Sequence, residues 1–302
     1  MKNINEYKAQ TIGVEIEMTG ISRNAATKVL EEHFGNRHTY IGNGCYDTRT
    51  VADETGRKWT IMRDSSIRPE YKSGRTAGDD YKVEFVTPIL HYDDIEDLQE
   101  IVRKFRRAGA TVNQSTGMHI HIGAKDFTAQ TVRNLVNALS SKEDILYDAL
   151  QVHPNRIGYC KKTDRRFLKE LNEKKPQTLD DLARIWYNDD NTAAHTRNHY
   201  DHSRYTLANI HSLFTKRTIE FRAFNATLHA GEVKAAIQFC LAITHQALNT
   251  TKAVCRKTET DNPKYAMRCW LLRLGLIGDE FKTCRLHMIK HLEGNSAWRQ
   301  AA

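Results

Sequence analysis

The chain has 302 residues, of which 40% are hydrophobic and 27% are charged, a composition typical of a folded globular protein and not of a disordered one. Its 45 basic and 37 acidic residues give a formal net charge of +8, which permits an anionic partner such as a nucleotide or nucleic acid but does not require one. No run approaches the roughly 18 apolar residues of a transmembrane helix, and the first residues lack the apolar stretch of a secretory signal. Six cysteines without a CxxC pair favour free thiols. We therefore expect a cytoplasmic protein that has no membrane partner.

The first half of the chain alternates between strand patterns and amphipathic helix patterns. Strands are predicted where apolar and polar residues alternate, and helices where apolar residues recur with a period near 3.6 behind a capping side chain. In chain order, the predicted elements are a strand at 11–18, a helix from Ser22 to about Phe34, short strands within 38–63 with turns at Gly42–Gly44 and Glu54–Gly56, a polar loop at 64–80, a strand at 82–89, a helix from Asp93 or Asp94 to Gly109, and a strand at 117–123.

The second half is predominantly helical. Its predicted elements are helices from Thr128 and from Ser141, a strongly basic helix at 161–175, a polar loop at 188–203 with three histidines, a strand within 216–224, and helices at roughly 231–249, 263–275 and 279–293. Strands arranged as hairpins and strand–helix units favour an α+β fold with a largely antiparallel sheet over a doubly wound fold. No internal repeat or domain boundary is evident, so we expect a single catalytic domain over 1–302 with a mainly helical part from about 231.

Three strands carry polar pairs at alternate positions. Side chains two residues apart on a strand point to the same face, roughly 6.5–7 Å apart. The pairs are Glu15 with Glu17, His119 with His121, and Glu220 with Arg222, and the strand at 82–89 adds Glu84. A single pair of this kind most often marks a half-exposed strand, but the occurrence of all these pairs in one sequence is uncommon. We expect the two imidazoles to lie on a polar, water-accessible face and Ile120 to face the core.

These pairs predict a metal site if the strands share one sheet. Four uncompensated carboxylates on one face would repel one another and tend to protonate, and bridging divalent cations would remove that cost. Oxygen-rich ligands with a few imidazoles suit Mg²⁺ or Mn²⁺ better than structural zinc. The sequence contains no GxxxxGK(S/T) phosphate loop, no GxSxG elbow and no HExxH helix.

Five segments in a fixed order resemble a known family. They are GVEIEM at 13–18, the stretch from Trp59 to Ser66, VEFVTPIL at 83–90, GMHIHIG at 117–123, and RYTLANIHSLFTKRTIEFRAFNATLHAGEVK at 204–234. Together they resemble the putative amidoligases, a branch of the carboxylate–amine ligase superfamily that includes glutamine synthetase and glutamate–cysteine ligase. One departure is Ala226, where many relatives place a glycine in the turn after the catalytic strand.

The resemblance implies a glutamine synthetase-like catalytic fold, in which a curved, largely antiparallel sheet has helices on its convex side and ATP with Mg²⁺ or Mn²⁺ on its concave face. It implies ATP-dependent joining of a carboxylate to an amine, from a small molecule or a peptide, through an acyl phosphate. By position, the implied metal ligands are Glu15, Glu17, Glu84, His119 and Glu220. The implied nucleotide contacts are His121, Arg204, Asn209 and Arg222. Arg222, Arg204 and Glu220 are the implied catalytic residues.

Two other functions fit the same residues. A metal-dependent hydrolase could use the carboxylates and imidazoles to activate water. A nucleic-acid-binding or nucleic-acid-modifying protein would account for the charge of +8 and the basic segment at 161–175. The loops at 64–80 and 188–203 are candidates for lids that exclude water, and equally for plain surface loops.

Overall fold

The computed structural model of the protein describes residues 3–41 and 44–298, so the turn predicted at Gly42–Gly44 lies partly outside the described residues. The strands are β1 (Ile12–Met18), β2 (Thr39–Tyr40), β3 (Arg49–Ala52), β4 (Lys58–Met62), β5 (Val83–Val86), β6 (Gly117–Gly123), β7 (Ala208–Asn209) and β8 (Thr218–Asn225). The helices are α1 (Ile4–Ala9), α2 (Arg23–Phe34), α3 (Ile95–Arg107), α4 (Ala129–Ser140), α5 (Glu143–Leu150), α6 (Arg165–Lys174), α7 (Leu179–Tyr187), α8 (Thr192–Arg197), α9 (His211–Lys216), α10 (Ala230–Asn249), α11 (Pro263–Arg273) and α12 (Lys282–Ile289).

The chain forms two compact units. The strand-rich unit comprises Thr11–Ile120 and Phe224–Lys234, and the helix-rich unit comprises Met1–Gln10, His121–Ala223 and Ala235–Ala302. Within the strand-rich unit the strands lie in the order β2-β3-β4-β5-β1-β6, and each pairing from β2 to β1 is antiparallel. The prediction of an α+β fold with antiparallel strands is confirmed. The curvature of the sheet and a glutamine synthetase-like architecture stay predictions.

A tight turn fixes the hairpin that leads into β4. The Asp53 carboxylate accepts hydrogen bonds from Thr55, Arg57 and the Trp59 indole. Burial by itself would raise the pKa of Asp53, but these hydrogen bonds outweigh it and hold that pKa well below its usual value. The Asp53 carboxylate therefore stays charged at neutral pH, and the turn that it holds sets where β4 begins.

The helix-rich unit contains the last residues of β6, followed in order by β8 and β7. β7 and β8 are antiparallel, with Ala208 opposite Phe221 and Asn209 opposite Glu220. Among the described residues, no helix is long and apolar enough to cross a bilayer.

The segment at 188–203 differs from its sequence-based prediction as a loop. It contains α8, and the two ring nitrogens of His195 on that helix lie within hydrogen-bond distance of Asp201, at 2.7 Å, and of Asp189, at 3.0 Å. The prediction of a plain loop was wrong because a six-residue helix held by ionic side chains shows too little apolar periodicity to detect. The two-residue strand β7 escaped detection for the same reason.

Candidate active site

Two glutamates face each other across neighbouring strands of the strand-rich unit. The register of β1 and β5 places Glu17 directly opposite Glu84, so both side chains lie on one face of the sheet. Glu17 is 5% exposed and Glu84 is 8% exposed. Like charges in directly opposed positions destabilise a sheet, and burial raises that cost.

An imidazole and a third carboxylate lie beside this pair. His119 Nδ1 is 3.1 Å from Glu15 Oε2, and the backbone N–H of Gly117 donates to Glu17 Oε2 at 2.7 Å. The sequence-based expectation that His119 lies on a water-accessible face was wrong, since its residue is only 6% exposed. Both faces of β6 are buried here, and alternation alone cannot distinguish a solvated face from a closed polar one.

Ligand atoms in this unit form two overlapping groups of three. Each group offers one atom per residue, and all the atoms of a group lie within 4.8 Å of one another. One group is Glu15, Glu84 and His119, and the other is Glu17, Asp64 and Glu84. We call these five residues the carboxylate cluster. Because Glu84 belongs to both groups, the cluster could hold two neighbouring cations that share one carboxylate.

Sequence reasoning missed Asp64. It follows β4 by two positions, and Met62 in β4 pairs with Glu84 in β5. Residues two apart share a face when the strand direction continues, so Asp64 comes close to Glu84 just beyond the end of the ladder. The signal that could have found it was its place in the stretch from Trp59 to Ser66 that carries the family resemblance.

In the helix-rich unit the Glu220 carboxylate is bound by a guanidinium and by a side-chain amide. The Arg222 guanidinium forms an ion pair with Glu220 Oε1, and Asn209 Nδ2 donates to Glu220 Oε2 at 2.6 Å. Arg222 Nε also donates to the Tyr159 carbonyl at 3.4 Å. Glu220 is therefore held by neighbours within its own unit, and its role as a metal ligand stays a prediction.

His121 lies next to this pair. Its Nδ1 is 3.2 Å from Thr218 Oγ1, and its Nε2 is 4.0 Å from Glu220 Oε1. With 8% exposure, His121 is as buried as His119, against the expectation of a water-accessible side chain. The contact between Nδ1 and the Thr218 hydroxyl orients the imidazole and leaves Nε2 directed at Glu220.

A second arginine shares an aromatic neighbour with Arg222. The guanidinium carbons of Arg204 and Arg222 lie 6.0 Å and 5.9 Å from the centre of the Tyr205 ring. Arg204 also donates to the His199 carbonyl at 2.9 Å, whereas its buried Nε has no hydrogen-bond partner among the described residues. We call Arg204, Asn209, Glu220, Arg222 and His121 the arginine cluster.

No thiolate nucleophile is provided by the described residues around Arg222. Burial raises the pKa of Cys160, although Arg156 and Arg222 oppose the shift. The thiol is therefore protonated at neutral pH and unreactive. A mechanism of covalent catalysis at Cys160 is accordingly disfavoured.

The departure at Ala226 does not strain the backbone. Ala226 is absent from the non-glycine residues with positive φ among those described, so an L-residue fits there. Its N–H donates to the Thr116 carbonyl at 3.1 Å, which ties the turn to the residue before β6. The family's glycine is thus replaced here without a conformational penalty.

One comparison with known proteins bears on this arrangement. The family model described as putative amidoligase enzyme matches residues 8–244, which include every residue of both clusters. No curated protein matches the chain.

Proposed function

The chain belongs to the putative amidoligase enzyme family, and on that premise we propose that it is a cytoplasmic, ATP- and Mg²⁺-dependent carbon–nitrogen ligase. It joins a carboxylate to an amine, giving a peptide-type or isopeptide-type amide. The observation that carries the proposal is the carboxylate cluster, in which Glu17 and Glu84 are opposed and buried.

The donor set fits a hard divalent cation. The two groups of the carboxylate cluster supply four carboxylates and one imidazole, and oxygen-rich sets of this kind suit Mg²⁺ or Mn²⁺. A cation would also offset the repulsion between Glu17 and Glu84. Glu15, Glu84 and His119 would hold one ion, and Glu17, Asp64 and Glu84 a second. The family resemblance adds Glu220 as a further ligand. When bound, these ions neutralise the charge that develops on phosphoryl oxygens.

The arginine cluster would bind the phosphates of ATP. Arg222 and Arg204 present planar forks of permanent charge that match phosphate oxygens. The buried Nε of Arg204, which lacks a partner among the described residues, is a donor that a phosphate oxygen would satisfy. His121 contributes a phosphate contact, and Asn209 lines the nucleotide or substrate pocket.

The reaction requires the carboxylate to be activated first. A carboxylate oxygen attacks the γ-phosphorus of ATP, which forms an acyl phosphate and releases ADP. The amine nitrogen then attacks the acyl carbon, phosphate leaves with the bonding electrons of the C–O bond, and the nitrogen loses a proton. Positioned positive charge matters more than a protein nucleophile in such a transfer. The segments at 64–80 and 188–203 would exclude water from the acyl phosphate.

The charge of the basic segment does not favour the nucleic-acid alternative. On α6, Arg166 and Lys174 pair with Glu170 at 3.0 Å and 2.6 Å, and Lys169 lies 4.0 Å from Glu173. Two of the four positive charges of this helix are therefore offset within the helix.

The decisive experiment measures ADP release across pools of amino acids, amines and peptides, with Mg²⁺, with Mn²⁺ and with EDTA. We expect ADP to appear in equal amount with an amide product, only when acid, amine and metal are all present. Calorimetry should show that ATP binding requires the cation. Equally tight ATP binding in EDTA would overturn the metal site, and metal-dependent bond cleavage without ADP would favour the hydrolase.

A further inference from the structure

A partly enclosed cavity of about 200 Å³ lies within the helix-rich unit, apart from the residues of the arginine cluster. Helices α4, α6 and α7 and the segment that leads into β7 surround it. Its lining is mainly apolar and includes Val136, Leu139, Phe167, Trp186, Ser203 and Ala208. An engineered cavity of about 150 Å³ binds benzene, so this one accommodates a single substituted ring.

Two polar groups of the lining are buried and unsatisfied. Trp186 Nε1 and Ser203 Oγ have no hydrogen-bond partner among the described residues. The Trp186 ring is held by an edge-to-face contact with Phe167, at 4.9 Å between ring centres. A buried donor without an acceptor destabilises the fold. A ligand that places an acceptor beside such a donor therefore forms the hydrogen bond that the protein does not make.

The cavity lies on the opposite face of β7 from Glu220. Ala208 lines the cavity and is opposite Phe221, whereas its neighbour Asn209 is opposite Glu220 and donates to that carboxylate. Successive residues of a strand point to opposite faces. A ligand in the cavity is therefore separated from Asn209 and Glu220 by the strand itself.

We propose that this cavity is a second ligand site, for a neutral, ring-sized apolar molecule that carries a hydrogen-bond acceptor such as a carbonyl oxygen. The indole N–H can only donate, which requires the acceptor. At the rim, Asp164 and Arg166 lie 3.9 Å apart, so opposite charges balance there and favour a neutral ligand. The site serves a ligand other than the reacting acid, amine or ATP, and its existence does not depend on the ligase reaction.

Binding of acetophenone, compared with ethylbenzene, tests the inference without ATP or metal. The two molecules have nearly the same shape, and only acetophenone carries an acceptor. By calorimetry and saturation-transfer NMR, we expect saturable binding of acetophenone at least about fivefold tighter than that of ethylbenzene, the factor that one good hydrogen bond provides.

Three variants locate the site. Trp186→Phe keeps an aromatic ring but removes the donor, so the preference for acetophenone should disappear while ethylbenzene binding stays. Trp298→Phe, at a residue that is 71% exposed, is the matched control and should bind like the unaltered protein. Ala208→Leu fills the cavity and should abolish binding of both molecules. If Ala208→Leu does not fold, the comparison of Trp186→Phe with Trp298→Phe still decides.

Three results would overturn the proposal. One is no saturable binding of acetophenone, as for a cavity that holds only water. The others are equal binding of the two probes, and a preference for acetophenone that Trp186→Phe retains. Each of these outcomes leaves the ligase proposal untouched, because ATP turnover is measured separately.

Discussion

In the carboxylate cluster two glutamates lie opposite each other, whereas in the arginine cluster the single glutamate contacts a guanidinium and a side-chain amide. Glu17 is opposed by Glu84 in the register of two strands. Glu220 instead pairs with Arg222 and accepts a hydrogen bond from Asn209. Glu17 and Glu84 are buried, as are Glu220, Arg222 and Asn209, so these two groups differ in charge and not in accessibility.

The difference tells which kind of ligand each cluster suits. Opposed buried carboxylates cost free energy that a cation would recover. A cluster that already balances its carboxylate, and has a further arginine nearby, has positive charge to offer to an anion.

Glu84→Gln should have the largest effect on activity. Removing the one carboxylate shared by both ligand groups should lower ATP turnover by about three orders of magnitude or more. In EDTA the free energy of unfolding should stay equal or rise by up to about 1 kcal/mol, because repulsion with Glu17 is relieved. Urea unfolding and turnover, measured beside the control Glu54→Gln at an exposed residue, give the answer. A large loss of stability without metal would show Glu84 to be a structural residue.

His119→Ala and Ile120→Ala, on the same strand, should distinguish a residue needed for activity from a residue needed for stability. Ile120 is 0% exposed, so Ile120→Ala should cost about 2–5 kcal/mol of stability. His119 is buried as well, so His119→Ala should cost about 1–3 kcal/mol through the lost hydrogen bond with Glu15. Turnover of the histidine variant should nevertheless fall by about two orders of magnitude or more. Thermal melts and ADP release of both variants test this, and full activity in folded His119→Ala would contradict a ligand role.

Arg222→Lys should impair phosphoryl transfer by about 10- to 100-fold while the protein still folds. Lysine keeps the charge but cannot bond Glu220 and the Tyr159 carbonyl and also present a planar fork to phosphate. The exposed Arg217 offers the control Arg217→Lys in the same unit. Single-turnover kinetics at saturating ATP should show the loss in the rate and not in the amount of folded enzyme. Unchanged turnover would leave Arg222 with an ion-pair role alone.

The smallest effect should come from pH at the 188–203 segment. Hydrogen bonding to Asp201, and then to Asp189, raises the pKa of His195, with burial opposing the shift. A raised pKa in the folded state means that the stabilisation is complete below the unfolded value near 6.5, and is lost as pH rises through the folded value. Hydrogen exchange of 189–201, corrected for its intrinsic pH dependence, should therefore speed up by up to about fivefold above that pKa. His195→Asn should remove this dependence, and a dependence that persists would place its origin elsewhere.

The elements with long periodic patterns, and the polar pairs on them, can be predicted from the amino-acid sequence alone. The alternation in 11–18 and 117–123 predicts that Glu15 shares a face with Glu17, and His119 with His121. Side chains two residues apart on a strand point to the same face. The antiparallel α+β class followed from the order of strands and helices. The family resemblance then implied a role for each of these polar residues, which their spacing alone does not indicate.

Which residues come into contact depends on strand register and packing. The register that places Glu17 opposite Glu84 depends on hairpins and packing outside both strands. Asp64 joins the cluster from beyond the end of β4, and the fold closes over both histidines, neither of which local alternation can reveal. The short element β7 is held by its pairing with β8, and α8 by the contacts of His195 with Asp189 and Asp201. Their own sequences carry too little periodicity to predict them.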